Sequence, residues 1–160
     1  MKLDSIDLKI LDVLQRDGRA TKTHVGELVG LSPSPCHERI KRLEAAGYIR
    51  GYHADIDIER LAHPQLILVE IVLKNHDTAD FERFRKYIKT VPDVLECYQT
   101  SGAMDFILKV VAADIEAYQA LMDRLLEANI GIGRFTSCVV TKPVKQNGTY
   151  PLDRLVSTPE

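Results

Sequence analysis

Apolar residues in the first third of the chain recur every three or four positions, which is the spacing of amphipathic helices. Residues 4–47 are predicted to form three helices, the second over about 22–29 and the third over about 33–46. Asp4 is the predicted N-cap of the first helix, which ends at "RDGRA", and Gly47 is the predicted left-handed C-cap of the third. The apolar stripes are Ile6, Ile10, Leu11 and Leu14, then Val25, Leu28 and Val29, then Cys36, Ile40 and Leu43.

The second and third helices are joined by the tight turn "GLS", which is a helix-turn-helix arrangement. After Gly47, the stretch "YIRGYHADID" combines β-forming residues with a central glycine and predicts an extended segment or a small wing. "IERLAHPQ", with its His63-Pro64 pair, then interrupts the pattern. We therefore predict a helix-turn-helix domain over residues 1–52 and a linker over 53–64.

Beyond residue 64 the apolar pattern changes to strands that alternate with amphipathic helices. The order βαββαβ is the ferredoxin-like split plan, so we predict such a domain over 65–142 and a tail over 143–160 with an Asn147-Gly148 turn signal. The fold class is thus α+β: an N-terminal three-helix helix-turn-helix domain of winged-helix type plus a C-terminal ferredoxin-like βαββαβ domain. Strands are predicted over 66–74, 94–101, 104–112 and 132–142, and helices over 79–91 and 114–129.

The predicted strands are apolar on both faces. In the first strand, Val69, Ile71 and Leu73 make one face, while Leu68 and Val72 make much of the other. No further helix is predicted to cover this second face, and an uncovered apolar face of that size implies a partner. We predict a two-fold homodimer through it; the alternative is that the linker or the tail covers it. In the helix over 79–91, the residues predicted to face inward are Phe81, Phe84, Ile88 and Val91. In the helix over 114–129 they are Tyr118, Leu121, Met122 and Leu125, and Asp114 is the predicted N-cap of that helix.

Composition places the chain among soluble globular proteins, with 45% hydrophobic and 28% charged residues over 160 positions. No apolar run approaches the ~18 residues of a membrane span, and the acidic N-terminus lacks the apolar core of a signal peptide. We therefore predict a cytoplasmic protein with no membrane partner. A net charge of −2 gives no global attraction to nucleic acid, so binding needs a local patch. Between residues 32 and 53 the basic residues are Arg39, Lys41, Arg42 and Arg50, against the acids Glu38 and Glu44.

Patterns for catalysis, metals and cofactors are missing. Cys36, Cys97 and Cys138 are far apart and form no CxxC pair, so neither a disulfide nor a zinc site is predicted, and each is expected to be buried. No GxGxxG, P-loop or metal-ligand cluster occurs, so we predict no cofactor and no enzyme. An RNA-binding sheet needs aromatics in a K/R-G-F/Y pattern, whereas "MDFILKVVA" has one aromatic residue. The alternative to a DNA-binding protein is an oligomeric ligand-binding protein or a metabolic enzyme.

The outer face of the third helix is polar and basic. With its apolar stripe facing the core, the outward residues are Ser34, His37, Glu38, Lys41, Arg42 and Ala45. Hydroxyl, imidazole and cationic groups meet phosphate oxygens and the acceptor edges of guanine, so this face is the predicted DNA contact, with Lys41 and Arg42 foremost. Arg39 lies beside the inward stripe and is either a structural partner of an acid in the first helix or a further DNA contact.

Two prolines stiffen the start of this helix. Either Ser32 is the N-cap with Pro33 at the first helical position, or Ser34 is the N-cap with Pro35 there. The second arrangement respects the tendency of a residue before proline to avoid the α region. In both arrangements, exposed N–H groups at the helix start favour an anion.

Three stretches resemble one family. "LSPSPCHERIKRLEAAGYIRGYHADID" closely resembles the recognition helix and following strand of the Lrp/AsnC, or feast/famine, transcriptional regulators, and "LDSIDLKILDVLQRDGRAT" resembles their first helix. "TSGAMDFILKV" resembles the glycine-then-aspartate loop of their regulatory domain. The similarity extends to about Leu152, with the motifs in the same order and spacing.

The resemblance implies a regulator whose N-terminal domain binds double-stranded DNA and whose C-terminal domain senses an amino acid or a related metabolite. Members of the family dimerise through their sheets, often assemble to octamers, and bind the effector between dimers near the glycine loop. The DNA contacts implied by position are Ser32, Pro33, Ser34, His37, Lys41 and Arg42, and the effector contacts are Gly102, Ala103, Met104, Asp105, Thr136 and Ser137.

The glycine loop has a second interpretation. From the residues alone, "SGAMD" is a hairpin turn without a ligand, in which Gly102 permits a tight connection. The resemblance makes it an effector loop, where backbone N–H groups would hold a carboxylate and Asp105 an ammonium group. Ala103 and Met104 are more apolar than the residues usual in the family, so the usual effector does not transfer to this chain.

Overall fold

A computed structural model describes residues 2–146 and 148–156. Its contacts divide the chain into two compact units, one formed by Met1–Asp55 with Lys145–Glu160 and the other by Ile56–Val144. The helices of the first unit are α1 (Ser5–Arg16), α2 (Lys22–Val29), α3 (Pro33–Ala45) and α6 (Leu152–Leu155). The second unit contains a short 3-10 turn (Ile58–Arg60), β1 (Gln65–Leu73), α4 (Thr78–Ile88), β2 (Val94–Gln99), β3 (Phe106–Ala112), α5 (Ile115–Glu127) and β4 (Ile132–Val139).

The caps of α1 and α3 are set by local side-chain chemistry. Asp4 is the N-cap of α1, as predicted, and it forms a reciprocal capping box in which the Asp7 N–H donates to Asp4 Oδ1 at 2.8 Å. At the end of α3, Gly47 has φ of 76°, which lets the Tyr48 N–H reach the Leu43 carbonyl at 3.0 Å. This is a Schellman motif, so Gly47 ends the helix as its sequence position predicts.

The structure decides which serine begins α3. Ser32 is the N-cap and Pro33 occupies the first helical position, although no side-chain hydrogen bond caps the helix. The first helical bond runs from the Cys36 N–H to the Ser32 carbonyl at 3.2 Å. Because Pro33 and Pro35 lack N–H groups, Ser34 supplies the one N–H within the first three helical residues, and that N–H has no intrahelical acceptor. Ser34 is helical although it precedes a proline.

The core of the first unit is small and closely packed. Its buried members include Ile10, Val25, Ile40 and Leu43, as the apolar stripes predict. Leu28 was predicted to face inward, but 57% of it is exposed. The inward position on α2 is taken instead by Gly26, which lies against the turn before α3. After α3, the described backbone of residues 49–57 contains no strand, so no strand-paired wing is present there.

The C-terminal segment packs on α1, which the sequence pattern does not indicate. Gln15 bonds the Tyr150 backbone twice: its Nε2 donates to the Tyr150 carbonyl at 2.9 Å, and its Oε1 accepts from the Tyr150 N–H at 2.8 Å. The short α6 follows directly. Asn147 of the predicted Asn-Gly turn lies outside the described residues.

The second unit is a four-stranded antiparallel sheet in the order β2-β3-β1-β4, which is the ferredoxin-like arrangement expected from the βαββαβ pattern. The sheet face that carries Val69 and Leu108 packs on α4 and α5, with Phe84 stacked on Phe106 at a centroid distance of 4.4 Å. Asp114 caps α5, as predicted. All four residues of the predicted α5 stripe are buried, whereas Phe81 and Val91 of the α4 stripe pack only at the edge of the core.

The opposite face of the sheet carries Leu66, Leu68 and Val72 of β1 beside Ile107 and Val111 of β3, as the register of the two strands shows. Leu68 is 40% exposed. A pair of charges divides this apolar surface on the β2 side, where Lys109 Nζ lies 2.9 Å from Glu96 Oε1.

Cys97 and Cys138 correct one prediction. Cys36 is buried in the first core, as expected, but Cys97 and Cys138 are exposed, and all three are free thiols. Both exposed cysteines belong to β2 and β4, the two edge strands of the sheet. A side chain on an edge strand has neighbouring strands on one side only, and Cys138, which is paired with Leu68, also lies on the sheet face opposite α4 and α5.

Candidate nucleic-acid interface and ligand loop

The structure brings the predicted DNA contacts together at the start and on the outer face of α3. The exposed members of the set are Ser32, Pro33, Ser34, Lys41 and Arg42. His37 is half-buried between this face and α2. The helix therefore offers hydroxyls and a free Ser34 N–H at its first turn, with cations along the next two turns. That combination suits phosphate oxygens near the helix start and base edges or phosphates further along.

His37 has one ring nitrogen engaged and one without a partner. Its Nε2 lies 3.4 Å from Lys22 Nζ, so Lys22 of α2 joins the surface. Nδ1 of His37 is buried and has no hydrogen-bond partner within the described chain. Since an ammonium group only donates, the imidazole accepts at Nε2 when it is neutral. The sequence pattern of α3 does not indicate Lys22 as part of this surface, because Lys22 belongs to another helix.

Arg39 and Arg42 of α3 both reach α1. Arg39 Nη1 donates to Asp4 Oδ2 at 2.6 Å and to Asp7 Oδ1 at 2.8 Å. Arg42 Nη2 donates to Asp7 Oδ1 at 3.1 Å and to Oδ2 at 3.0 Å. Of the two roles predicted for Arg39, the structure shows the structural one, with an acid of the first helix as partner. The sequence pattern does not indicate that Asp7 is buried, because a polar residue beside an apolar stripe normally faces water.

These contacts have an electrostatic consequence for the α1 N-terminus. The Asp7 N–H that Asp4 caps, and after it the Arg39 guanidinium, hold the pKa of the Asp4 carboxyl below its usual 3.8. In return, the hydrogen bonds to Asp4 and Asp7 raise the pKa of Arg39 above its usual value. Both shifts favour the ionised form of the Asp4–Arg39 pair.

The glycine loop connects β2 to β3 and is closed by its own backbone. The Thr100 N–H donates to the Asp105 carbonyl at 2.9 Å, and Thr100 Oγ1 donates to the Met104 carbonyl at 2.7 Å. Gly102 has φ of 128°, a left-handed value that favours glycine, and no atom lies within 4 Å of the position a Cβ would take. The exposed tip, Gly102 and Ala103, is therefore open to a ligand.

Asp105 orders this loop. Its Oδ2 accepts from the Leu73 N–H at 2.8 Å and lies 3.1 Å from Nε2 of His76, so the carboxylate fastens the loop to the end of β1. Its side chain is 14% exposed. Among the described residues, none donates a hydrogen bond to Asp105 Oδ1, so this oxygen is available to a cationic group. His76 was not identified from the sequence, since it follows a strand in an unremarkable polar stretch.

Thr136 and Ser137 do not share a site within one chain. Thr136 is paired with Glu70 and so lies on the face opposite the helices, whereas Ser137 is paired with the buried Val69 on the helix face. The Ser137 hydroxyl is hydrogen-bonded to the Tyr118 hydroxyl of α5. Burial raises the pKa of Tyr118, and the bond to Ser137 opposes that rise. Alternation along β4 thus separates two residues that are adjacent in sequence.

Among residues 2–146 and 148–156, no group of three or more His, Cys, Asp or Glu side chains is placed to hold a metal ion. No helix in the same described part is long and apolar enough to cross a membrane.

Comparison with known proteins agrees with this geometry. The sequence profile of the winged helix-turn-helix DNA-binding domain matches residues 3–50, and that of the Lrp/AsnC ligand binding domain matches residues 66–150. The transcriptional regulatory protein DoeX of Halomonas elongata is 44% identical over 146 residues, covering 91% of this chain and 92% of DoeX. The leucine-responsive regulatory protein of Haemophilus influenzae is 41% identical over 144 residues, covering 90% and 87%.

Solved structures show the same fold. A transcriptional regulator from Neisseria meningitidis in complex with L-Met superposes with a TM-score of 0.88 at 32% identity, covering 97% of this chain and 100% of the other. An AsnC family transcriptional regulator from Agrobacterium tumefaciens has a TM-score of 0.88 at 33% identity, covering 96% and 100%.

The fold and the profiles define a class: a transcriptional regulator in which a helix-turn-helix DNA-binding unit is joined to a ligand-binding unit. The chain belongs to the Lrp/AsnC family. Its two matched domains and its relatives are those of regulators and not of enzymes, which removes the metabolic enzyme from the alternatives.

Proposed function

We propose that this chain regulates transcription by binding double-stranded DNA through α3 and by responding to an amino acid that binds at the glycine loop. One observation carries the DNA-binding part: the start and outer face of α3 are exposed and carry donors and cations, while its other side fills the core of the unit. The proposed DNA contacts are Ser32, Pro33, Ser34, His37, Lys41 and Arg42, within a DNA-binding domain over residues 1–52.

Lys41 is the sharpest test of this surface. It is exposed and makes no ion pair within the described chain, so Lys41→Ala removes a charge without disturbing the fold. Lys86→Ala is the control variant, because Lys86 on α4 is also exposed and the substitution removes the same charge from the other unit. We expect Lys41→Ala to weaken binding to a duplex selected by the wild-type chain about tenfold, as fluorescence anisotropy measures, and to flatten its salt dependence. Equal affinities of the two variants would refute this placement.

An amino acid is the proposed effector. The relative from Neisseria meningitidis, whose fold superposes closely, was crystallised with L-Met, and the loop of this chain offers an open glycine beside the free Oδ1 of Asp105. The proposed effector contacts are Gly102, Ala103, Met104, Asp105, Thr136 and Ser137. Because Thr136 and Ser137 lie on opposite faces of the sheet, a site that uses both needs residues from more than one chain.

A thermal-shift screen against the twenty amino acids tests the effector. We expect at least one to raise the melting temperature, since a ligand that binds only the folded state stabilises it by mass action. Gly102→Val, which places a branched side chain at a left-handed position in the loop, should abolish that shift. Gly148→Val is the control, because it adds the same side chain in the other unit, at a position where a Cβ also has no atom within 4 Å. No shift with any amino acid would refute the proposed effector class and leave DNA binding untouched.

A homodimer that assembles further to an octamer is the proposed oligomeric state. Leu68, Val72 and Ile107 support it, because they leave an apolar surface on the sheet face opposite α4 and α5. Leu68→Glu should dissociate the dimer, as light scattering after gel filtration measures. Leu126→Glu is the matched control, since Leu126 on α5 is 42% exposed and Leu68 is 40% exposed. A monomeric wild-type chain, or dissociation by both variants, would contradict this interface.

A further inference from the structure

Asp7 is the one charged side chain that is fully buried in the described part of the first unit. A buried carboxylate is costly unless charge and hydrogen bonds compensate it. Here it is saturated: one bond comes from Arg39, two from Arg42, and one from the Asp4 N–H at 3.3 Å to Oδ2. Asp7 therefore holds Arg39 and Arg42 in place, and both belong to the helix that carries the proposed DNA contacts.

Neutralising Asp7 does not require Arg42. Arg39 is 25% exposed and bridges Asp4 and Asp7, so it already supplies a buried countercharge with short bonds. Arg42 is 51% exposed and uses a single nitrogen, Nη2, on Asp7. Its Nε and Nη1 donors keep no partner among the described residues. A guanidinium held at one edge and open at the other is ready to bond a second acceptor without losing further rotamer freedom.

We propose that Asp7 is a positioning residue for DNA readout, which fixes Arg42 so that the free edge of its guanidinium is pre-organised for a base or phosphate acceptor. This inference rests on the proposed function of α3. It separates two roles on the helix. Arg42, oriented by Asp7, carries sequence discrimination, whereas Lys41, exposed and unpaired within the described chain, carries charge. The Asp7 carboxylate also offsets a positive charge beside the DNA, which lowers affinity for every sequence by a similar factor and leaves the preference between sequences to the placement of Arg42.

Asp7→Asn tests this in the full-length chain. The probes are a duplex enriched by the wild-type chain from a random library and a scrambled duplex of the same length and composition. Asparagine keeps the shape but loses the charge that holds Arg42. We expect the ratio of the two dissociation constants to fall about tenfold, because a well-placed bidentate contact discriminates by about that factor. Affinity for the scrambled duplex should stay equal or rise, since one negative charge is gone.

Asp4→Asn is the matched control. It removes the same charge from the same cluster and keeps a good N-cap, but Asp4 touches Arg39 and not Arg42. Its ratio should equal that of the wild type. A purely structural role for Asp7 predicts lower stability and weaker binding to both duplexes with an unchanged ratio, and that result would overturn the inference.

A measurement on the unmutated protein covers the case in which Asp7→Asn does not fold. Side-chain nitrogen NMR reports rotation about the Cζ–Nη bond of arginine, and we expect slow rotation for Arg42 and fast rotation for exposed Arg50 in the free chain. Fast rotation of Arg42 in the free chain would overturn the inference, because its guanidinium would then not be pre-organised. If the wild-type chain enriches no duplex at all, the DNA-binding proposal itself fails, which is a different outcome from a failure of Asp7.

Discussion

Gly26 gives the most direct test of how the helix-turn-helix is packed. A Cβ added to this residue of α2 would lie 2.7 Å from the Leu31 carbonyl oxygen and 3.5 Å from Cys36 Cβ. Ordinary contacts begin near 3.4 Å, so the turn has to yield. It has little room to do so, because the Leu31 N–H donates to the Gly26 carbonyl at 2.8 Å. Gly26→Ala should therefore push the turn and the start of α3 away from α2.

Two opposing effects set the magnitude. Alanine is favoured over glycine in a helix by about 1 kcal/mol. Overpacking of a tight interior costs about 1–3 kcal/mol, and a contact under 3 Å with a backbone atom belongs in the upper half of that range. We expect a net loss of about 1–2 kcal/mol in the free energy of unfolding. DNA affinity should fall as well, since the start of α3 is displaced.

Urea denaturation followed by circular dichroism measures the stability, and amide hydrogen exchange at Leu31 reports the turn itself. Gly30→Ala is the control. Its φ of 75° makes alanine strained, by about 1–2 kcal/mol, but no atom lies within 4 Å of its Cβ position. It should lose comparable stability and keep its DNA affinity. An equal or greater stability of Gly26→Ala than of the wild type would mean that helix propensity outweighs the contact and that the packing argument is wrong.

Three further predictions follow from other parts of the first unit. Leu43→Ala, at a fully buried site, should cost about 2–5 kcal/mol in urea denaturation, while the exposed Leu28→Ala should cost about 0.5 kcal/mol or less; similar losses would contradict the burial of α3. Gln15→Ala removes both bonds to the Tyr150 backbone, so limited proteolysis should cut residues 145–156 faster, and an unchanged rate would show that the segment is held by other contacts. The pKa of Asp4 is lowered by the N–H it caps and by a neighbouring arginine, so its stabilising effect is complete above the unfolded pKa of 3.8 and is lost as the pH falls through the lower folded value. Stability measured against pH should thus fall less steeply in Asp4→Asn, and parallel curves would refute this.

Local chemistry explains what the sequence could predict. Asp4, Asp114 and Gly47 act on backbone groups within a few residues, so their capping roles are readable from position alone. The spacing of apolar residues in α3 and in β3 likewise predicted which face of each element is buried, because that spacing is a property of a single element. Strand order, in contrast, depends on contacts far apart in sequence.

Distant contacts also decide the positions that the sequence pattern did not show. Cys138 was expected to be buried because it is small and apolar, but it lies on an edge strand, and the edge is defined by the sheet order. Asp7 is buried because two arginines of α3 form ion pairs with it, and the sequence of α1 alone does not indicate those partners. The predicted effector residues Thr136 and Ser137 are adjacent in sequence but are placed on opposite faces by their pairing with β1.

The arginine cluster also changes how the basic patch should act. The sequence places four cations between residues 32 and 53, yet Arg39 is held by two carboxylates and Arg42 by one of them. Lys41 and Arg50 remain as unpaired charges in that stretch of the described chain, joined by Lys22 from α2. Each cation that contacts a phosphate releases about one counterion, and this release drives DNA binding. With so few free cations on one chain, the affinity of a single copy for DNA is weak. We therefore propose that stable binding uses two copies acting together, because linked DNA-binding units share one encounter and add their contacts. In the proposed dimer, the sheet surface around Leu68 supplies the second copy that the modest charge of the proposed DNA-binding surface on α3 makes necessary.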